Sequence, residues 1–168
     1  GFPNYPGGKV YSGYKIKWLQ KEVIDGIKIT RVPLFPSHDQ SARNRILNYI
    51  SFAATSSIYG VCGAKKADVI YVYHPPITVG MAGAVIGTLR RTPFVYDVQD
   101  LWPDTLRATG MLTNKRVLNI VNKACNWVYK KASHLVLLSP GFKEKLVERG
   151  VPENKQSVIY NWCDELSL

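Results

Sequence analysis

Residues 94–103 read Phe-Val-Tyr-Asp-Val-Gln-Asp-Leu-Trp-Pro, an apolar run that ends in two carboxylates, an amide and a Trp-Pro turn. Phe94 to Val98 has the apolar and aromatic content of a strand buried on both faces of a parallel sheet, and open α/β sheets hold their ligands beyond the carboxyl ends of such strands. Asp97 and Asp100 therefore emerge at a functional edge. A carboxylate there suits orienting a hydroxyl nucleophile or stabilising developing positive charge. The competing assignment is structural, an Asx-type bond that closes the following turn. Asp100 lies beyond the strand and is the stronger candidate, whereas Asp97 belongs to the strand and can brace its neighbour. His74 follows a second β-rich run, Asp68-Val-Ile-Tyr-Val-Tyr73, and precedes Pro75-Pro76. It brings an imidazole to the same edge, within reach of a phosphate or a hydroxyl across a cleft, and an exposed loop histidine without a ligand is the equal alternative. His38 lacks this context, His134 suits packing or capping, and Ser139 suits a helix N-cap. No Gly-x-Ser-x-Gly elbow and no metal-binding helix motif occurs.

The elements that must position these groups follow from periodicity. From residue 27 onward, short β-branched runs alternate with longer helical patterns, as in parallel strands joined by helical crossovers. Strands are expected at residues 27–32, 68–73, 94–98, 134–138 and 157–160. Helices are expected at residues 41–61, with Ile46, Ile50 and Ala53 on one face; at 77–90, where five Gly and Ala residues suit close packing on a sheet; at 114–132, with Val117, Val121, Ala124 and Val128 as its buried stripe; and from Ser139-Pro140-Gly141 to about Gly150. Arg116, Lys123 and Lys130 recur every seven residues beside that stripe, a solvated face or a contact with anionic lipid headgroups. The first twenty-odd residues, with Asn4-Tyr5-Pro6-Gly7-Gly8, read as a turn-rich loop.

The chain has 168 residues, 46% of them hydrophobic, enough for one ordinary domain with a sizeable core. Cys62, Cys125 and Cys163 are odd in number and far apart, which suggests neither a disulfide framework nor a zinc site. That usage, with no secretory signal, reads as cytosolic. Residues 50–62 are too short and too polar to span a bilayer, so membrane contact is expected to be peripheral. Twenty-two Lys and Arg against twelve Asp and Glu give a net charge of +10, which favours an anionic partner. The cations are dispersed without a groove-reading motif, which argues against nucleic acid.

Taken together, Phe2-Pro3-Asn4-Tyr5-Pro6-Gly-Gly-Lys9, Asp25-Gly26-Ile27, the segment ending in His74-Pro75-Pro76, Asp97 to Asp104, Ala108-Thr-Gly110, Leu138-Ser-Pro-Gly141 and Val158-Ile-Tyr-Asn-Trp162 resemble the amino-terminal half of a bacterial GT-B glycosyltransferase of family 4. The resemblance is to the fucosamine-transferase-like branch that builds capsule, O-antigen and colanic-acid polysaccharides, and it covers nearly the whole chain. It implies a Rossmann-like α/β fold, an open, mostly parallel sheet with helices on both faces, lacking the family's first strand–helix unit. Residues 1–160 would form the acceptor-side domain and residues 161–168 the start of a connector, since Asn161-Trp-Cys-Asp164 matches the family's Asn-x-x-Asp. The donor domain would lie elsewhere, because no two glutamates here have the family's Glu-x7-Glu spacing.

By the same resemblance, Asp100, Asp97 and His74 would be catalytic, and Gln99, Trp102, Asp104, Tyr5 and Lys9 would contact substrate. Many relatives carry a histidine about where Gln99 stands. Trp102, Tyr5 and Tyr11 suit stacking on sugar faces, and Lys9, Lys15 and Arg107 suit a pyrophosphate. The expected partners are a nucleotide-sugar donor, a lipid-linked oligosaccharide acceptor and the inner-membrane surface, with no nucleic acid, no cofactor and no obligatory metal. The implied reaction is sugar transfer with retention, performed by the full-length enzyme and not by this portion alone. A non-catalytic module that binds an anionic lipid or nucleotide is the alternative of another class.

Overall fold

The computed structural model describes residues 1–4, 8–37 and 42–161. They fall into two compact units, Gly1–Lys66 and Ala67–Leu168. In the first unit, strands β1 (Gln20–Ile24) and β2 (Ile27–Arg31) pair antiparallel in register Ile24↔Ile27 through Gln20↔Arg31. Asp25 and Gly26 form the two-residue turn, with φ of 50° and 79°. Left-handed φ at both positions is what a type I′ hairpin requires, and Asp-Gly supplies it at low steric cost. Two expectations are corrected here. Residues 27–32 do not open the parallel sheet but form the second arm of a separate two-stranded sheet, and residues 20–24 are a strand, not loop. The local turn chemistry outweighed the crossover pattern.

Helix α1 (Ala42–Cys62) follows. The face carrying Asn48, Ser51 and Thr55 is tied by side-chain hydrogen bonds to the backbone of Pro33 and Phe35, at 2.6–2.8 Å. Ile46 and Ile50, the apolar positions that mark the helical period, are exposed. Periodicity found this helix, but the side tied to the preceding segment is half-buried and polar, with its hydroxyls and amide paired to backbone groups.

The second unit holds four parallel strands in chain order, β3 (Ile70–Tyr73), β4 (Phe94–Val98), β5 (His134–Leu137) and β6 (Gln156–Val158). Helices α2 (Ile77–Arg90), α3 (Asp104–Ala108), α4 (Lys115–Lys131) and α5 (Pro140–Glu148) lie between them, and a 3-10 turn at Glu153–Lys155 precedes β6. The fold is α/β with a Rossmann-like parallel sheet flanked by helices, as the sequence pattern implied. The short helix α3 and the 3-10 turn were not anticipated, being too brief to carry a period. Asn114 caps α4 by accepting from the amides of Arg116 and Val117, and Ser139 caps α5 by accepting from that of Phe142.

Strand order that advances with the chain, combined with right-handed crossovers, sends α2, α4 and α5 to one face of this sheet, where helices on both faces were expected. The core accordingly joins Val72, Phe94, Tyr96, Val98, Leu135 and Leu137 from the strands to Ala84, Cys125, Val128, Tyr129 and Leu146 from the helices. In α4 the expected stripe is rotated: Val117 is exposed, and Cys125, Val128 and Tyr129 are buried. Tyr129 reaches the sheet, its ring 6.3 Å from that of Tyr96 between centroids.

The glycines of α2 bring that helix onto the strands. A Cβ at Gly80 would stand 2.8 Å from the ring of Tyr96, and one at Gly83 would stand 2.6 Å from a methyl of Val72. Tyr96 is fully buried and cannot yield. Overpacking costs about 1–3 kcal/mol, more than the ~1 kcal/mol that alanine gains over glycine in a helix. Gly80→Ala is therefore expected to lower the urea midpoint. Gly141→Ala, whose added methyl meets only Ser139 Oγ at 3.9 Å, should raise it.

Candidate functional site

Parallel strands put their carboxyl ends on one edge, and here the ends of neighbouring β3 and β4 deliver His74 and the Asp97–Trp102 segment together. The backbone N–H of His74 donates to the carbonyl of Asp97 at 3.0 Å. The His74 ring packs edge-on against Tyr96 at 5.8 Å and against Trp102 at 5.6 Å between centroids. His74 is 1% exposed. Burial pushes its pKa down to about 4, against weaker opposing attraction from Asp100 and Asp97, so the imidazole is neutral at physiological pH. Its Nδ1 is buried without a hydrogen-bond partner, as are Thr78 Oγ1 and Tyr96 Oη. Burial likewise raises the Tyr96 phenol far above its ordinary value and the Cys125 thiol to about 12, which leaves both protonated.

The two acids are held differently. Asp97 is buried, and its carboxylate accepts from the Tyr71 hydroxyl of β3 on one oxygen and from Gln99 Nε2 at 2.6 Å on the other. The register Tyr71↔Val95 makes Tyr71 and Asp97 diagonal neighbours on one sheet face, which is why the long phenol reaches it. That hydrogen bond, with a smaller part from burial, raises the Tyr71 pKa to about 12. Gln99 is shared further, its Oε1 accepting from Asn161 Nδ2 at 3.2 Å.

Asp100 accepts from Trp102 Nε1 at 3.1 Å and from Thr105 Oγ1 at 2.5 Å, both in its own turn. A carboxylate has about four lone-pair positions, so two donors leave room for a further hydroxyl. The indole of Trp102 thus links the His74 ring to the Asp100 carboxylate. Arg149 at the end of α5 steadies this turn: it donates to the Trp102 carbonyl at 2.9 Å and pairs with Asp104 at 2.6 Å.

The structure therefore brings together His74, Asp97, Gln99, Asp100 and Trp102. It gives Asp104 a different neighbour, the guanidinium of Arg149. Lys9 belongs to the Gly1–Lys66 unit. Tyr5, His38 and residues 162–168 of the expected connector lie outside the described residues. His134 Nε2 pairs with Ser157 Oγ at 2.8 Å across β5 and β6, a strand-bracing role. Sequence reasoning missed Tyr71, Thr105 and Arg149. Thr105 had a legible signal, a threonine five residues after an acid at a helix start, but Arg149 lies 45 residues from Asp104 and had none. Among the described residues, no group of three or more His, Cys, Asp or Glu side chains is placed to hold a metal ion. No helix among them is long and apolar enough to cross a membrane.

A four-stranded parallel sheet flanked by helices, with polar groups gathered at the carboxyl ends of its strands, defines a Rossmann-like domain of the GT-B amino-terminal kind. The family model for the glycosyl transferase 4-like domain matches residues 6–162, and the chain belongs to that family. It is a glycosyltransferase-type domain, and enzymes of this type work on a nucleotide sugar and an acceptor. No curated protein matches the chain.

Proposed function

We propose that this chain forms the acceptor side of a sugar transferase whose acceptor is a lipid-linked oligosaccharide, as in the fucosamine-transferase-like branch of capsule and O-antigen synthesis. The observation that carries this reading is the joining of His74, Trp102 and Asp100 across the ends of two adjacent parallel strands. Asp100 accepts the acceptor hydroxyl on its free lone pairs, and Trp102 presents a ring edge and an apolar surface to the sugar. His74, neutral at pH 7 and buried, packs its ring against Trp102 and holds that indole in position for the acceptor. Asp97, locked by Tyr71 and Gln99, holds the strand end in register and takes no part in proton transfer.

The sugar nucleotide binds to a separate donor domain, since this chain has no Glu-x7-Glu pair. Transfer proceeds with retention, and residues 1–168 alone transfer nothing. Calorimetric titration of residues 1–168 is the test. Saturable binding of a lipid-linked oligosaccharide in detergent is expected, with no heat from a panel of sugar nucleotides. Tight, saturable binding of any sugar nucleotide by this chain would reject the assignment.

A further inference from the structure

The hairpin of the first unit carries its charges unevenly. On one face Arg31 Nε donates to the Glu22 carboxylate at 2.5 Å, and both side chains are half-buried. On the other face stand Lys21 of β1 and Lys28 of β2, in adjacent residue pairs on that face, with Lys21 opposite Thr30 and Lys28 opposite Val23. Like charges so placed repel, so strand pairing does not account for them. The Thr30 hydroxyl on this face lies 3.3 Å from that of Tyr59, which sets the last turn of α1 against the hairpin. Lys65 follows that helix. These groups line an open hollow of about 460 Å³, flanked by Val23. The acid at its edge, Glu22, is already neutralised by Arg31, and among the described residues no carboxylate pairs with Lys21, Lys28 or Lys65.

Three ammonium groups without a counter-charge, gathered around two hydroxyls, have the composition of an anion site. The hydroxyls share one hydrogen bond, which leaves one O–H free to donate. A phosphate monoester presents three terminal oxygens and about two negative charges, whereas a carboxylate or a phosphate diester presents two oxygens and one charge. We infer that this hollow is a binding site for a small phosphate monoester. Lys21, Lys28 and Lys65 take its terminal oxygens, the free hydroxyl of the Thr30–Tyr59 pair donates to one of them, and Val23 lies against the ester group. Charge complementarity selects the monoester. A sugar nucleotide, whose phosphates are each esterified on both sides, lacks the doubly charged terminus and is not a ligand of this hollow. The inference rests on the first unit alone and stands whether or not the sugar-transfer reading holds.

The test is titration of isotope-labelled residues 1–168 with phenyl phosphate at low ionic strength, followed by amide chemical shifts. Saturable shifts confined to β1, β2 and the residues about Lys65 are expected at about millimolar ligand, the scale that suits so small a molecule. Diphenyl phosphate, a diester with one charge, should bind about tenfold more weakly. Each exposed ammonium is worth up to about fivefold, so Lys21→Gln/Lys28→Gln/Lys65→Gln should weaken phenyl phosphate by roughly a hundredfold. Lys115→Gln/Lys123→Gln/Lys131→Gln removes the same charge from the other unit and should change the affinity less than about twofold. Circular dichroism checks that these exposed changes leave the fold intact. Absence of saturable shifts, equal affinity for the two esters, equal losses in the two triple variants, or shifts centred away from the hairpin would each overturn the inference. So would binding to phosphatidic acid vesicles that phenyl phosphate does not displace, which would assign these lysines to a lipid surface.

Discussion

Asp100→Asn, in an enzyme assembled from this domain and its donor-binding counterpart, is expected to lower turnover about a hundredfold while leaving affinity for the sugar nucleotide nearly unchanged. The carboxylate both caps its turn and, on the proposed reading, receives the acceptor hydroxyl, so the substitution must be separated from a loss of capping. Thr105→Val does this. It removes the Thr105 hydroxyl from Asp100 Oδ1 and leaves the carboxylate in place. Losing one such hydrogen bond costs about 1 kcal/mol of stability. If Asp100 acts on the acceptor, only Asp100→Asn slows the chemical step. If Asp100 is a turn cap, the two variants lose turnover alike, and slightly. Asp97→Asn should instead act on the fold, because Tyr71 and Gln99 both donate to a carboxylate that the substitution replaces by an amide.

The second large effect is acid sensitivity from His74. Its pKa is near 4 in the folded chain against an ordinary 6.5, with burial as the cause. Above pH 6.5 the ring is neutral in both the folded and the unfolded chain and contributes no pH dependence. Between pH 6.5 and 4 the unfolded chain takes up a proton that the folded chain refuses, so stability falls as pH falls. The loss through this window amounts to about 3 kcal/mol, a large part of the total for a small domain. Carboxylates add their own slopes, so the measurement is a difference. His74→Phe keeps an aromatic ring against Tyr96 and Trp102 but cannot titrate. Urea unfolding of both proteins from pH 7 to pH 4 should show the wild type losing about that much more stability than the variant as pH drops. Parallel curves would show that the imidazole is protonated in the folded state, and a neutral acceptor of hydrogen bonds would no longer describe it.

The inward position of His74 sharpens what the sequence offered. A histidine between an aromatic strand and two prolines was open to two readings, a ligand-reaching side chain or an exposed loop residue. Its ring is in fact walled by Tyr96 from β4 and Trp102 from the following turn. Neither wall is visible in the local sequence, because each comes from a different segment brought alongside by parallel pairing of β3 with β4.

What the sequence determined by itself are the features that depend on neighbours within a turn or two. Alternating β-branched runs and helical periods defined the α/β class. Asn114 and Ser139 marked helix starts, because capping is satisfied within three residues. The Asp-Gly pair at 25–26 belonged to the same legible class, and a hairpin could have been read from it. The shared edge of His74 and Asp100 also followed, since parallel strands necessarily align their carboxyl ends. Tertiary structure alone decided the rest. The pairing of Tyr71 with Asp97 depends on the register of two strands, and that of Arg149 with Asp104 on how the α5 terminus meets the turn after β4. The orientation of α4 was settled by Tyr129 and Cys125 packing against the sheet, which turned Ile120 and Trp127 outward. A periodic pattern limits a helix to a few rotations. The volumes that must fit beneath it select one.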